Sequence, residues 1–362
     1  MANVKLKIGI IGCGGIANGK HLPALKNLDN VEIVAFCDII PERAEKARAE
    51  YGSADAKTYV DYKELLKDES IDAVHVCTPN RSHSYITVDA LEAGKHVMCE
   101  KPMAINSAEA KKMLDAAKRT GKKLTIGYQS RQRADAAYMK NECLAGTFGD
   151  IYYAKATAIR RRAVPTWGVF LNEEEQGGGP LIDIGTHALD LTLWMMDNYK
   201  PKYCIGKAFH KLNKDTEQGN AWGNWDPDKF TVEDSAFGMI VMENDAVIML
   251  ESAWALNTLD VREAVTSICG TKAGADMNDG LRINGIRQNL QYTMKPNFSA
   301  AGAAFYDGAK ANDMGTLEAA QWVDAIINDR EPCVSPEQAY TVTRILEGIY
   351  ISSQTGDVYR FE

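Results

Sequence analysis

Between residues 6 and 127, short apolar runs alternate with longer segments of mixed character. The runs are LKIGII (6–11), VEIVAFC (31–37), AVHVC (73–77), HVMC (96–99) and LTIG (124–127). They are nearly continuous rather than alternating, the pattern of parallel strands covered on both faces. The segments between them carry helix punctuation. Pro41 stands in a first turn, Asp61 and Glu64 form a D-x-x-E box, and Gly94 and Gly121 sit where left-handed C-terminal caps belong. Strand and helix alternating in this way predict a doubly wound α/β sheet.

Beyond Gly127 the pattern changes. A helix is predicted over about 134–145, closed by Gly146, and IYYAKATAIRRR then opens a series of longer strands. Further strands are expected at 203–211, 233–242, 246–254 and 261–269, alternating or rich in aromatics, as in a large and mostly antiparallel sheet. The polar stretch 213–230, with Trp222 and Trp225, predicts a long surface loop of the functional kind. Helices return at about 314–328 and from Ser335, an N-cap followed by Pro336, to about Ser353. The expected domains are a doubly wound unit over 1–127 and a second α/β unit, also the seat of oligomerisation, over 128–334. A C-terminal helix over 335–362 is expected to pack back between them. A broad one-layer sheet exposes a face that a second subunit covers most economically, so a homo-oligomer (dimer, tetramer or higher) is expected.

Three places carry candidate chemistry. The first strand ends in GCGGIA, a G-x-G-x-x-A pattern of Gly12, Gly14 and Ala17, and Asp38 ends the second strand. Taken alone the glycine pattern is weak, and a turn without a ligand is the plain alternative. Between a strand and a helix, with an acid after the next strand, it meets the conditions for dinucleotide binding. Gly12 permits the tight turn, Gly14 lets backbone amides approach a pyrophosphate, and the helix N-terminus favours the anion. Asp38 suits the ribose hydroxyls and repels a 2′-phosphate, so NAD is expected rather than NADP.

The second place is the pair of later strand ends, CTPNRSH (77–83) and CEKPMA (99–104). Ligands lie beyond the carboxyl ends of such strands. Lys101, set before Pro102, is therefore a candidate for catalysis or cofactor contact, against the plainer reading of a surface lysine paired with Glu100. For His83, a capping or supporting role stands beside cofactor contact.

The third is GGGPLIDIGTHALDLTLW (177–194), where three glycines lead into an apolar helix bearing Asp183, His187 and Asp190. Spacings of four and three put these on one helical face, with no lysine or arginine in the stretch. Either the line is a satisfied polar seam or it faces something reactive. Of the three, Asp190 is read as an internal anchor.

Composition narrows the alternatives. The 362-residue chain is 45% hydrophobic and 25% charged, typical of a globular protein with room for two domains. A formal charge of −8, with Arg160–Arg162 the only dense basic run, argues against nucleic acid as a partner. No secretory signal and no apolar stretch of membrane-spanning length is visible, so a cytoplasmic protein without a membrane role is expected. The eight dispersed cysteines lack C-x-x-C spacing, which disfavours zinc and fits reduced thiols. No metal site is expected.

Together, GCGGIA, CTPNRSH, AGKHVMCEKPMA, GYQSR (127–131) and GGGPLIDIGTHALD resemble the Gfo/Idh/MocA family of NAD(P)-dependent oxidoreductases, almost end to end. The resemblance implies an N-terminal Rossmann domain and a C-terminal α/β domain with an open antiparallel sheet. It places the family's catalytic lysine on Lys101 and its acid and histidine on Asp183 and His187. Cofactor contacts are then expected from Gly12, Gly14, Gly15, Ile16, Asp38 and Arg43. Others are expected from Thr78, Pro79, Asn80, His83, Glu100, Lys101 and Gln129. The implied reaction is hydride transfer between a secondary hydroxyl of a sugar, glycoside or inositol and NAD, with a 3-keto sugar as one product.

Such a reaction needs a base near the hydroxyl proton. Histidine, with an ordinary pKa of about 6.5, suits that role, so His187 leads as proton acceptor, with Lys101 as holder of the reacting oxygen or relay of the proton; the sequence leaves open which of the two is the base. Substrate contacts are expected from Lys101, Asp183, His187, Arg162 and Trp167, with Trp222 and Trp225 as further stacking candidates; for each tryptophan a place in the core is the commoner alternative. Two rival readings remain at this level. One is a glycosidase that uses NAD transiently; the other is a dinucleotide sensor without catalysis.

Overall fold

The computed structural model describes residues 5–298 and 313–362, and the chain divides into two compact units. One takes the chain up to Gln129 together with a later segment that ends at Tyr340; the other takes Ser130 onward together with Thr341–Glu362.

The first unit runs β1 (Leu6–Ile11), α1 (Leu22–Lys26), β2 (Val31–Cys37), α2 (Pro41–Tyr51), β3 (Lys57–Tyr59) and α3 (Tyr62–Leu66). It continues with β4 (Ala73–Val76), α4 (Asn80–Glu92), β5 (His96–Cys99), α5 (Ser107–Thr120) and β6 (Leu124–Ile126). The six strands lie in the order β3-β2-β1-β4-β5-β6, all parallel. The side chains of β1 and β4 at the sheet's centre are mostly buried on both faces, which is why these strands read as unbroken apolar runs. Helix ends follow local chemistry. Asp61 accepts from the Lys63 amide at the start of α3, and Asn106 accepts from Glu109 at the start of α5. Gly94 and Gly121 both have positive φ, as expected of C-terminal caps. One strand, β3, was not expected; three partly exposed residues carry no apolar run.

The second unit holds α6 (Ala134–Leu144), β7 (Ile151–Ile159), α7 (Glu173–Gln176), α8 (Thr186–Met196), β8 (Pro201–Phe209), β9 (Ser235–Met242) and β10 (Val247–Ala253). After these come β11 (Arg262–Gly270), β12 (Ala273–Asp276), β13 (Arg282–Arg287) and β14 (Leu290–Met294). The chain closes with α9 (Met314–Ile327), α10 (Pro336–Thr355) and β15 (Tyr359–Arg360). Nine strands form one sheet in the order β14-β13-β12-β11-β7-β10-β9-β8-β15, antiparallel except for β7 beside β10.

Helix α8 lies across β7 and β11, and the π-helical turn before it (Leu181–Gly185) lies on β10. Small residues make that approach possible. Ala154, Ala156 and Ala158 of β7 are fully buried, and a Cβ on Gly185 would stand 3.0 Å from the Ser252 hydroxyl. The outward face alternates to polar and half-exposed side chains, among them the Lys155–Glu251 ion pair at 2.7 Å.

Two findings differ from expectation. Helix α9, placed by sequence in the second domain, packs against α1, with Ala319 and Val323 in the core of the first unit. An amphipathic pattern shows which face is buried and not which core receives it. Residues 213–230 form no helix or strand, yet they are packed around their own Trp225, which is 3% exposed. Its indole N–H donates to the Asn213 carbonyl, and Gln218 bonds its backbone on both sides. Trp225 is thus the loop's core and offers no face to a sugar.

Candidate active site

In the first unit the glycine loop leaves β1 with Gly12 at φ +91°, its N–H donating to the Cys37 carbonyl. A Cβ there would lie 2.7 Å from the Cys77 carbonyl oxygen, so the turn admits only glycine. Over Gly14 and Gly15, by contrast, a Cβ would meet nothing within 4 Å. That open space lies over the first turn of a helix, whose N–H groups have no intrahelical acceptor.

Asp38 is nearly buried and closes the loop from the next strand. Its Oδ2 accepts from the Cys13 amide and its Oδ1 from the Ile40 amide, each at 2.9 Å. Ile39 and Ile40 leave apolar surface beside it, and Ile16 is exposed at the loop's other end. An anion-ready helix start, a carboxylate and an apolar ledge fit a dinucleotide. Arg43 is exposed on the first turn of α2. Burial pushes the thiols of Cys13 and Cys37 up to about 12, so they stay protonated beside the loop.

The two later loops are braced by groups whose roles the sequence did not reveal. Pro79 caps α4, Asn80 begins it, and the Thr78 hydroxyl oxygen accepts from Ser82. His83 is buried with Nδ1 at 2.8 Å from the Pro102 carbonyl and Nε2 at 2.9 Å from the Thr78 carbonyl. Burial favours the neutral ring, which donates from one of these nitrogens, so His83 sits braced between the two loops. Lys101 is partly exposed between Glu100 and Pro102, and the Lys101–Pro102 peptide bond is cis. Gln129 is partly exposed just after β6.

Glu100 is committed elsewhere than to the Lys101 ammonium. Its Oε1 meets Lys20 Nζ at 2.5 Å and His21 Nε2 at 2.7 Å, while its Oε2 accepts from the Lys101 amide at 3.1 Å. Burial alone would raise this carboxyl, but Lys20 and His21 hold it well below the usual carboxylate range. Burial, then Lys20, keeps His21 below its ordinary value, so a neutral His21 donates from Nε2. Its Nδ1 then accepts from Nδ1 of His75 at 2.9 Å. Lys20 and His21 belong to the π-helical turn Ala17–His21, so one distorted turn braces the strand end that carries Lys101.

In the second unit two of the three glycines, Gly178 and Gly179, have a structural answer. A Cβ on Gly178 would come within 2.1 Å of the Tyr350 hydroxyl, and one on Gly179 within 2.3 Å of the Glu233 carbonyl oxygen. The space is filled by a carboxylate that caps the helix. Glu233 Oε2 accepts from the Gly179 amide at 2.8 Å, and Oε1 from the Leu181 amide at 3.0 Å and from Tyr350 Oη at 2.8 Å. Burial raises Glu233 to about 7 despite these donors. From Gly178 to Leu193 every residue is buried except Asp183 and His187.

Each polar side chain of this helix is separately accounted for. Asp183 Oδ2 accepts from the indole N–H of buried Trp254 at 3.0 Å. Arg160, bound through two bonds to Glu263, lies within electrostatic reach of Asp183. His187 is partly exposed. Asp190 is wholly buried and paired with Arg131 through two bonds of 2.9 and 2.5 Å, the anchor expected of it. The arginine absent from the helix thus arrives from the GYQSR stretch.

Arg162 is occupied: it donates to the Arg161 carbonyl and to Asn257 Oδ1, pinning its own loop. Trp167 is 52% exposed and packs edge-to-face on Trp222. Sequence reasoning missed Glu233, Tyr350, Trp254, Lys20, His21 and His75. Only His75 left a trace, as an ionisable residue inside the apolar run AVHVC.

Comparison with known proteins bears on both units. Residues 6–128 match the profile described as "Oxidoreductase family, NAD-binding Rossmann fold" (GFO_IDH_MocA), and residues 141–361 match its C-terminal alpha/beta domain. A D-glucoside 3-dehydrogenase of Escherichia coli K12 is 34% identical over 360 residues, covering 98% of this chain and 97% of that protein. An inositol 2-dehydrogenase of Salmonella typhimurium is 31% identical over 198 residues, 54% of this chain and 56% of its own. Among solved structures, levoglucosan dehydrogenase in complex with NADH and L-sorbose aligns over 99% of both chains, with a TM-score of 0.84 at 22% identity. No helix among the described residues is long and apolar enough to cross a membrane.

Proposed function

The chain belongs to the Gfo/Idh/MocA oxidoreductase family, and from that membership we propose that it transfers hydride between NAD and a secondary ring hydroxyl of a glycoside. Related sugars and inositols are the neighbouring substrates, and oxidation at the third ring carbon gives a 3-keto sugar. The observation that carries this reading is that, from Gly178 to Leu193, Asp183 and His187 alone are partly exposed. A segment that buries its other side chains and leaves an acid and an imidazole partly exposed is arranged for a polar ligand.

Oxidising CH–OH to C=O removes a hydride and a proton. NAD, when bound over the glycine loop and Asp38, supplies the hydride acceptor. The proton leaves the hydroxyl for a ring nitrogen of His187, a group whose ordinary pKa lies near neutrality. Lys101 Nζ donates a hydrogen bond to the reacting oxygen and favours the negative charge that builds there. Asp183, its Oδ2 fixed by Trp254, accepts from a neighbouring hydroxyl and orients the ring. In this proposal Lys101 and His187 act on one and the same hydroxyl. Reduced surroundings such as the cytoplasm suit its eight free thiols, and a second copy suits the half-exposed outer face of the sheet.

The test is a panel of glycosides, free sugars and inositols offered to the purified protein with NAD, read by NADH absorbance. Glycosides of glucose are expected to give the highest kcat/KM. Failure of every polyol on the panel to yield NADH would overturn the proposal.

A further inference from the structure

Two large aromatic side chains of the second unit stand in solvent, and two independent routes connect them to Asp183. Trp167 is 52% and Trp222 44% exposed, and their rings meet edge-to-face with centroids 5.0 Å apart. The first route is aromatic. Trp167 packs on Phe170 at 5.9 Å, Phe170 on Trp254 at 6.3 Å, and Trp254 donates to Asp183 at 3.0 Å. The second is cationic. The Arg160 guanidinium lies over the Trp222 ring at 5.2 Å and interacts electrostatically with Asp183.

The pair is also held rigidly. Its two segments are stitched by Thr166 Oγ1 donating to the Trp222 carbonyl, Ala221 N–H to the Arg162 carbonyl, and Asn220 exchanging bonds with both backbone groups of Val164. Exposed tryptophan surface costs about 25 cal/mol per Å² relative to burial. Rigid aromatic faces that keep this surface open, at the margin of a polar site, are preorganised for a ligand with an apolar ring. The same two segments border an open depression of about 550 Å³ whose lining includes Arg161 and Glu217, charged groups for such a ligand's substituents.

We propose that Trp167 and Trp222 form a subsite for the aglycone of the substrate, an apolar ring joined through the glycosidic oxygen to the sugar held at Asp183. This rests on the oxidation of glycosides proposed above and deepens it. The subsite makes the protein selective for glycosides with ring-bearing aglycones over free sugars and methyl glycosides.

The experiment compares kcat/KM for the methyl and phenyl glucosides of one anomer, with NAD, in the parent protein and in Trp167→Ala, Trp222→Ala and Trp222→Phe. The parent is expected to prefer the phenyl glucoside by about tenfold. That ratio is expected to fall to near one in both alanine variants and to be largely restored in Trp222→Phe, which keeps an aromatic face. Because the readout is a ratio within one protein sample, a partly folded variant does not imitate the result. A parent with no phenyl preference, or alanine variants that keep it, overturns the subsite while leaving glycoside oxidation standing. An altered oligomeric state in these variants with the ratio unchanged also overturns it, and marks the patch as a contact between copies. Failure of both glucosides to be oxidised by the parent overturns the subsite together with the function it rests on.

Discussion

The indole N–H of Trp254 donates to Oδ2 of Asp183 over 3.0 Å, and the indole itself is fully buried. A donor with no freedom to move fixes the carboxylate it serves. Asp183 lies in a π-helical turn, where the side chain leaves the helix at an angle that a regular turn does not give. The acid is therefore aimed twice, by its backbone and by its partner.

Removing that partner should separate aim from presence. Trp254→Phe keeps an aromatic ring at the position and deletes the N–H. A hydrogen bond to a charged group contributes about 1.5–3 kcal/mol, so kcat/KM should fall about tenfold to a hundredfold. NADH affinity, measured by fluorescence titration, should stay at the parent's value. An unchanged kcat/KM in the folded variant would remove Trp254 from the account.

A second prediction concerns pH. The Glu233 carboxyl is raised from 4.5 to about 7, chiefly by burial. Between those values the folded protein holds a proton that the unfolded chain has released. The contribution of this group to stability is complete below pH 4.5 and is lost as pH rises to about 7, at most about 3 kcal/mol. Glu233→Gln cannot titrate. The difference in unfolding free energy between the parent and Glu233→Gln should shift against the parent from about pH 5 to about pH 7 and level off above. Parallel stability curves across that window would show that Glu233 titrates normally.

Asp38 ties the amides of Cys13 and Ile40, and the proposed cofactor site gives it the ribose hydroxyls as a second duty. Asp38→Ala should weaken NADH binding at least about tenfold, as expected for losing charge-assisted bonds. Discrimination against NADPH should shrink with it. Titration of both cofactors into the variant checks this, and a preserved NADH-to-NADPH ratio would contradict it.

How much of this was legible in the sequence depends on where each partner comes from. The first sheet was readable because strands buried on both faces leave unbroken apolar runs, and only β3, half exposed and three residues long, escaped. Lys101, Asp183 and His187 could be singled out as candidates because each stands in a compact motif whose glycines and prolines betray the turn it needs. Their supports could not. Glu233 reaches the Gly179 amide across 54 positions, Tyr350 reaches Glu233 across 117, and Trp254 reaches Asp183 across 71. Strand register and the return of α10 make those meetings, and no local pattern records them. Trp225 shows the reverse error, since a tryptophan in a polar loop reads the same whether it faces a sugar or holds the loop together.

The central claim is that Lys101 and His187 serve one hydroxyl with NAD as the hydride acceptor. The most direct test is kcat for Lys101→Ala and His187→Ala on the best glycoside, measured beside their NADH affinities. The account predicts that each variant loses about a hundredfold or more in kcat while NADH still binds as in the parent. Full turnover in either variant would contradict it.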